Sequence, residues 1–194
     1  MRHATLDILQ DEHQALAAML RSLSMLLAQS RRENKLPDFD VLRAMLFYVD
    51  EFPEKLHHSK ESELLFPVLR GRCPDLVPVL DRLDRDHANS EKAIRALQHL
   101  LLAFDVLGES RRLAFEEGVQ QYIASYLEHM GIEEREVLPV ARRELSADDW
   151  ALLDAAFSQN KDPLTGHEPA AEFKPLFRKI VMSAPAPIGL GPAR

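Results

Sequence analysis

Three His/Glu pairs in this sequence share one spacing: His57/Glu61, His87/Glu91 and His129/Glu133. Residues at i and i+4 lie on one face of a helix, so each pair can aim two ligands at one point. A fourth histidine, His13, has Ala17 at its i+4 position and so stands without such a partner. His13, His87 and His129 fall on apolar stripes. Leu9, His13, Leu16 and Leu20 follow helical spacing, as do Leu83, His87, Ile94 and Leu97, and also Tyr122, Tyr126, His129 and Val137. A buried, unpaired carboxylate is costly, so several facing one core call for a compensating cation. Four imidazoles and three carboxylates are too many donors for one four-coordinate zinc. They suit two metals bridged by carboxylates, and the N/O mixture favours iron or manganese.

An internal echo strengthens the pattern. HHSKESELLFP (57–67) and HMGIEEREVLP (129–139) share His at the start, Glu four residues on, an aliphatic at the ninth place and Pro at the eleventh. Glu133 corresponds to Glu61 and is preferred as the ligand, with Glu134 as the alternative. His58 lies about 100° around the helix from His57 and is expected at the surface or behind the ligands, with Glu63 facing solvent. His3, His99 and His167 are expected outside the site. Tyr122 and Tyr126 read as core aromatics, or as hydrogen-bonding neighbours of it.

The elements that must hold these residues are helices. Periodicity predicts them over 5–31, 39–70, 76–104 and 110–144. Thr5 and Ser110 are candidate caps, Asp38 and Asp75 precede two starts, and Pro78 sits in a first turn, where its missing N–H is tolerated. Short links predict an all-α, antiparallel up-down four-helix bundle over 1–145. With turn centres near 34, 72 and 107, His13 and His57 lie 21 and 23 residues from the first turn. His57 and His87 lie 15 on either side of the second, and His87 and His129 lie 20 and 22 from the third. All four therefore fall at one level, within about one turn at 1.5 Å per residue. Residues 146–194 form a C-terminal extension. Ser146 caps a short fifth helix, EFKPLFRKIV can form another, and SAPAPIGLGPAR reads as an extended tail, packed on the bundle or projecting from it.

The chain has 194 residues, a net charge of -7 and 28% charged residues. The acidic balance and lack of a basic block argue against nucleic acid and membrane surfaces as partners. The charged start, MRHATLDILQDEH, is unlike a signal peptide. The single Cys73 excludes an internal disulfide and a cysteine-rich zinc site, and a reducing, cytoplasmic setting is expected. None of the 7 glycines stands in a phosphate-cradling motif.

Over residues 5–144 the chain resembles the hemerythrin-like, or HHE cation-binding, family. The resemblance rests on His13, His57–Glu61 running into LLFP, His87–Glu91, and the HMxxEExxVLP element from His129. The DDWALLDAAFSQNKDPL stretch and the APAPIGLG tail resemble the C-terminal extension of bacterial members. The resemblance implies two iron ions with oxo or hydroxo and carboxylate bridges, the latter from Glu61 and Glu133. Manganese or zinc would be substitutes. It also implies binding of O2, NO, peroxide or azide, in sensing, iron handling or stress protection. Oxygen carriers of the family have a second histidine where this chain has Glu91. The expected set of four His and three carboxylates therefore leans toward the ferric state, and toward a di-iron oxidase, peroxidase or iron-releasing enzyme. An interaction module with a structural metal is the third reading.

Overall fold

The computed structural model describes residues 3–191, and its regular elements there are helices. Helix α1 spans Ala4–Arg32. Thr5 is not its cap: it lies inside the helix, and its N–H and hydroxyl donate to Asp154 Oδ1 at 2.7 and 2.6 Å. One of the amides left over at the helix start is thus satisfied by a distant carboxylate. The chain turns at Asn34, with φ of 51°. Helix α2 (residues 39–72) begins at Asp38, whose side chain accepts from the Val41 N–H at 3.1 Å. Helix α3 is Val77–Leu107. Gly108, at φ 74°, makes the next turn. Ser110 donates to the Leu107 carbonyl there and does not cap helix α4 (residues 112–144).

Helices α2 and α4 are not regular throughout. Wider π turns interrupt α2 at Asp50–His57 and Glu61–Leu65, and α4 at Glu133–Val137. The Phe66 N–H reaches back five residues to the Glu61 carbonyl, and the Leu138 N–H likewise to Glu133. Pro67 and Pro139 come next. Each lacks an N–H, and its ring crowds the carbonyl four residues earlier, so the wider turn relieves the crowding. The echo noted in the sequence is thus a repeated backbone device. Each prolyl π turn begins at one of the two inward carboxylates, and the helix then continues.

The four long helices form an antiparallel ring in which each packs on the next and α4 closes on α1. Two apolar clusters fill it. One gathers Leu6, Leu9, Leu65, Leu69, Leu83, Val137 and their neighbours, from the start of α1, the end of α2, the start of α3 and the end of α4. The other begins at Leu16 on α1, stops at Phe52 on α2, begins at Ile94 on α3 and stops at Met130 on α4. A buried polar layer lies between them. Each fully buried Leu, Met or Phe contributes about 1.5–3 kcal/mol, which offsets the cost of that layer.

Helix α5 (Ala147–Phe157) starts with a capping box between Ser146 and Asp149. It sends Trp150, Leu153 and Phe157 into the first cluster. Helix α6 (Lys174–Ser183) adds Phe177 and Ile180 to the second. The tail folds back on α6 and does not run extended. The Leu190 N–H donates to the Val181 carbonyl at 2.7 Å, and the Gly191 N–H to Ala184 at 2.9 Å. A Cβ at Gly189 would stand 2.2 Å from the Ala184 oxygen, so only glycine fits. The last three tail residues, 192–194, lie outside the described residues. Among those described, no helix is long and apolar enough to cross a membrane.

Candidate metal centre

The polar layer brings together His13 from α1, His57, His58 and Glu61 from α2, His87 from α3, and His129 and Glu133 from α4, all buried. Their donor atoms form two groups. In the first, His13, His57, Glu61 and Glu133 each place one ligand atom within 4.8 Å of the others; in the second, His58, Glu61, His87 and His129 do so. Glu61 belongs to both. Its Oε2 lies 3.3 Å from His57 Nε2 and 3.5 Å from His87 Nε2. Glu133 spans them similarly, with Oε2 at 3.2 Å from His13 Nε2 and Oε1 at 3.2 Å from His129 Nε2. The His87 and His129 Nε2 atoms face each other at 3.1 Å.

These atoms converge on the space between them more than on one another. His13 Nε2, Glu61 Oε2 and both Glu133 oxygens are buried and meet no hydrogen-bond partner. Orphaned buried donors and acceptors are rare and costly, and a cation is what such a set satisfies. Five imidazoles and two carboxylates make a buried N/O donor set that suits metal ions, with Glu61 common to both groups.

The other nitrogen of four rings is held from behind. His13 Nδ1 donates to Glu134 at 3.0 Å, His57 Nδ1 to Glu12 at 2.8 Å and His58 Nδ1 to Glu54 at 3.0 Å. His87 Nδ1 meets Ser62 Oγ at 2.8 Å, and Ser62 gives its own proton to Asp84, so the ring is the donor. Each bond orients its ring so that Nε2 is the nitrogen left to face a metal; in His58 that nitrogen accepts from the Tyr126 hydroxyl, which a metal would have to displace. A further layer supports the carboxylates. Asn160, beyond α5, donates to both oxygens of Glu12 at 2.9 and 3.1 Å, and Lys60 donates to Asn160. Glu54 accepts from Tyr122 at 2.7 Å and from Ser90.

The protonation pattern follows from this packing. Burial alone would lower His13, but Glu133 and Glu134 against it push it up to about 9. For His57, burial is outweighed by Glu61 and Glu12, and the ring is held well above its ordinary value. Burial would raise Glu133, yet the rings of His129, His13 and His87 hold it well below the usual carboxylate range. His58 goes the other way: burial, then the neighbouring His87, His57 and His129 rings, keep it well below its ordinary value. It is a neutral imidazole whose Nε2 accepts from the Tyr126 hydroxyl at 2.8 Å.

Against expectation, two residues exchange places. Glu91 does not reach the layer: its side chain is 51% exposed and pairs with Arg95. The buried seam of α3 runs Leu80, Leu83, His87, Ile94, Leu97, which passes by Ser90 and leaves Glu91 outside. His58, expected at the surface or behind the ligands, is 4% exposed and stacks on His87 at 4.0 Å. The π turn over Asp50–His57 adds a residue to the helix turn and lets two adjacent histidines face inward. Of the Glu133/Glu134 alternatives, Glu133 faces the layer and Glu134 backs His13. Glu54 and Glu12 were missed. Glu54 stands four residues before His58, a spacing that was readable; nothing near Asn160 in the sequence marks its role.

A helical bundle whose core layer gathers buried histidines and carboxylates points to a metal-binding four-helix protein. The family description "Hemerythrin HHE cation binding domain" matches residues 4–141, and the chain belongs to that family. No curated protein sequence matches it.

Proposed function

We propose that the chain is a non-haem di-iron protein that binds O2, NO or peroxide at the layer between the two apolar clusters. Its role would lie in sensing, iron handling or protection against oxidative and nitrosative stress, in the cytoplasm. The observation that carries this reading is the pair of four-donor groups sharing Glu61, with unpartnered buried atoms turned toward their centre. Iron bound there would supply electrons and an attachment point for small ligands; manganese or zinc would fill the same donors without the same redox reach.

The protein's own residues do the rest. Glu61 and Glu133 supply two negative charges to the layer, and the rings would be neutral once a metal had displaced their protons. Glu12, Glu54, Ser62 and Glu134 fix the orientation of their histidines. Leu16, Phe52, Pro53 and Tyr126 line a cavity of 10 Å3 beside His13 and His57, about the least volume that accepts a water-sized ligand. With His58 buried in the layer and Glu91 outside it, we read the set as five His and two carboxylates, the composition expected of oxygen carriers in this family. On that reading, the argument for a ferric-leaning enzyme from a third carboxylate loses its support. A peroxidase or oxidase reading keeps one support, the Tyr126 hydroxyl against His58, which places an oxidisable side chain beside the centre.

The test is optical. Protein reconstituted with ferrous iron under anoxia and then exposed to air is expected to develop a near-ultraviolet band that azide, peroxide or NO alters. An iron-loaded sample whose spectrum ignores all three ligands would refute the reading.

A further inference from the structure

A cleft of 470 Å3 opens between α3 and α4 beside the centre. A water's share of liquid volume is about 30 Å3, so this space far exceeds what O2, NO or peroxide needs. It falls within the roughly 300–1,000 Å3 of small-molecule sites. At one end the helices close together: a Cβ at Gly118 would lie 3.0 Å from Leu97 and from Leu100. Ala93 and the buried face of Tyr122 continue that apolar wall, and Tyr126 and His129 stand at the other end.

One polar feature at that end is unmet. His129 Nδ1 is buried without a hydrogen-bond partner, and its nearest carboxylate oxygen, Asp86 Oδ2, is 3.8 Å away, too far for a direct bond. With Nε2 given to a metal, Nδ1 would carry the ring's proton. A group that accepts from His129 and donates to Asp86 would satisfy both, and a hydroxyl does that. The mouth holds one cation against two carboxylates, Arg82 with Asp86 at 3.6 Å and Glu128 at 2.5 Å. That balance disfavours an anion.

We propose that this cleft binds an uncharged, ring-sized alcohol or phenol. Its hydroxyl bridges His129 Nδ1 and Asp86, and its ring lies over Ala93 and Tyr122. Such a ligand is an organic partner for the centre, beyond the small gases and peroxide. The cleft takes its shape from α3 and α4, so binding does not depend on which metal the layer holds.

The experiment is calorimetric titration of the full-length protein, as purified and with metal content measured, with 2-naphthol as probe. Saturable one-to-one binding is expected. Naphthalene, which lacks the hydroxyl, and the 2-naphthoate anion should bind about ten- to a hundredfold more weakly, the effect of losing a hydrogen bond to a charged group. Asp86→Ala should weaken 2-naphthol similarly. Ala93→Trp and Ser125→Trp, each filling the cleft from a different helix, should abolish binding while melting near the parent temperature. Absence of saturable binding, equal affinity for naphthalene, or undiminished binding in both tryptophan variants overturns the proposal. A chain that holds two irons but no naphthol refutes this inference alone; one that binds naphthol but no metal refutes only the di-iron reading.

Discussion

Asn160→Leu tests whether the C-terminal extension is part of the metal centre. Asn160 is 5% exposed, lies 148 residues from Glu12 in sequence, and donates to both its oxygens. Glu12 in turn holds His57 Nδ1 at 2.8 Å. Leucine is similar in size, so the substitution removes the bonds without opening a large cavity. A hydrogen bond to a charged group contributes about 1.5–3 kcal/mol, and a buried carboxylate left short of donors adds to the loss. The forked contact shares one amide, so the expected destabilisation is about 2–4 kcal/mol. For a chain of this size that lowers the melting temperature by about 5–15 °C. The same loss frees His57 to change orientation or tautomer, and such supporting partners are worth about ten- to a hundredfold in metal affinity. Thermal melts of metal-loaded and metal-free protein, with chelator competition for iron, measure both. Asn160→Asp, which sets a second carboxylate against Glu12, should be worse than leucine on both. A melting shift under about 1 °C with unchanged competition would show that the extension merely covers the bundle, and the reasoning would fail.

Three further outcomes are expected. His58→Ala should leave the group around His13 intact and retain one metal per chain, whereas Glu91→Ala should retain two and cost at most about 0.5 kcal/mol, as for an exposed helix pair; metal analysis with the roles reversed would restore Glu91 as a ligand. His13 is raised from 6.5 to about 9, so its contribution to the metal-free chain is complete below pH 6.5 and is lost as pH rises through 9. Metal must displace that proton, so apparent affinity should climb across this window and proton release should be larger at pH 7 than at pH 9.5; equal release in weakly buffered indicator titrations contradicts this. Pro67→Ala restores an N–H opposite the Glu63 carbonyl and removes the ring that crowds it, so the π turn should tighten, carry Glu61 off its direction and weaken metal binding about tenfold or more, as loss of a positioning element does. Unchanged affinity would mean that the proline does not hold the turn.

Much of this arrangement was legible because helical seams leave a regular trace. The apolar spacing located four long helices, Asp38 and Ser146 marked two starts, and the distances of His13, His57, His87 and His129 from the turns put them at one level. The errors came where the backbone leaves the α-helix or where the seam bends. The i+4 rule put Glu91 beside His87, but the α3 seam alternates steps of three and four and takes Ser90 as its neighbour instead. The same rule set His58 at the surface or behind the ligands because it assumes regular α-helical turns, and the π turn before it does not obey that geometry. Thr5 resembled a cap, yet the nearby carboxylate of Asp154 claims both its amide and its hydroxyl. Asn160 could not be found at all, since its role depends on where α5 docks and not on any local pattern.

The central claim is that seven buried donors hold two metals, with Glu61 and Glu133 common to both. It is tested most directly by iron content after anoxic reconstitution, measured on the wild-type chain beside a Glu61→Ala/Glu133→Ala double variant. Two irons per wild-type chain and almost none in the double variant are predicted. One iron or fewer in the wild type, or the same content in both proteins, would contradict the account.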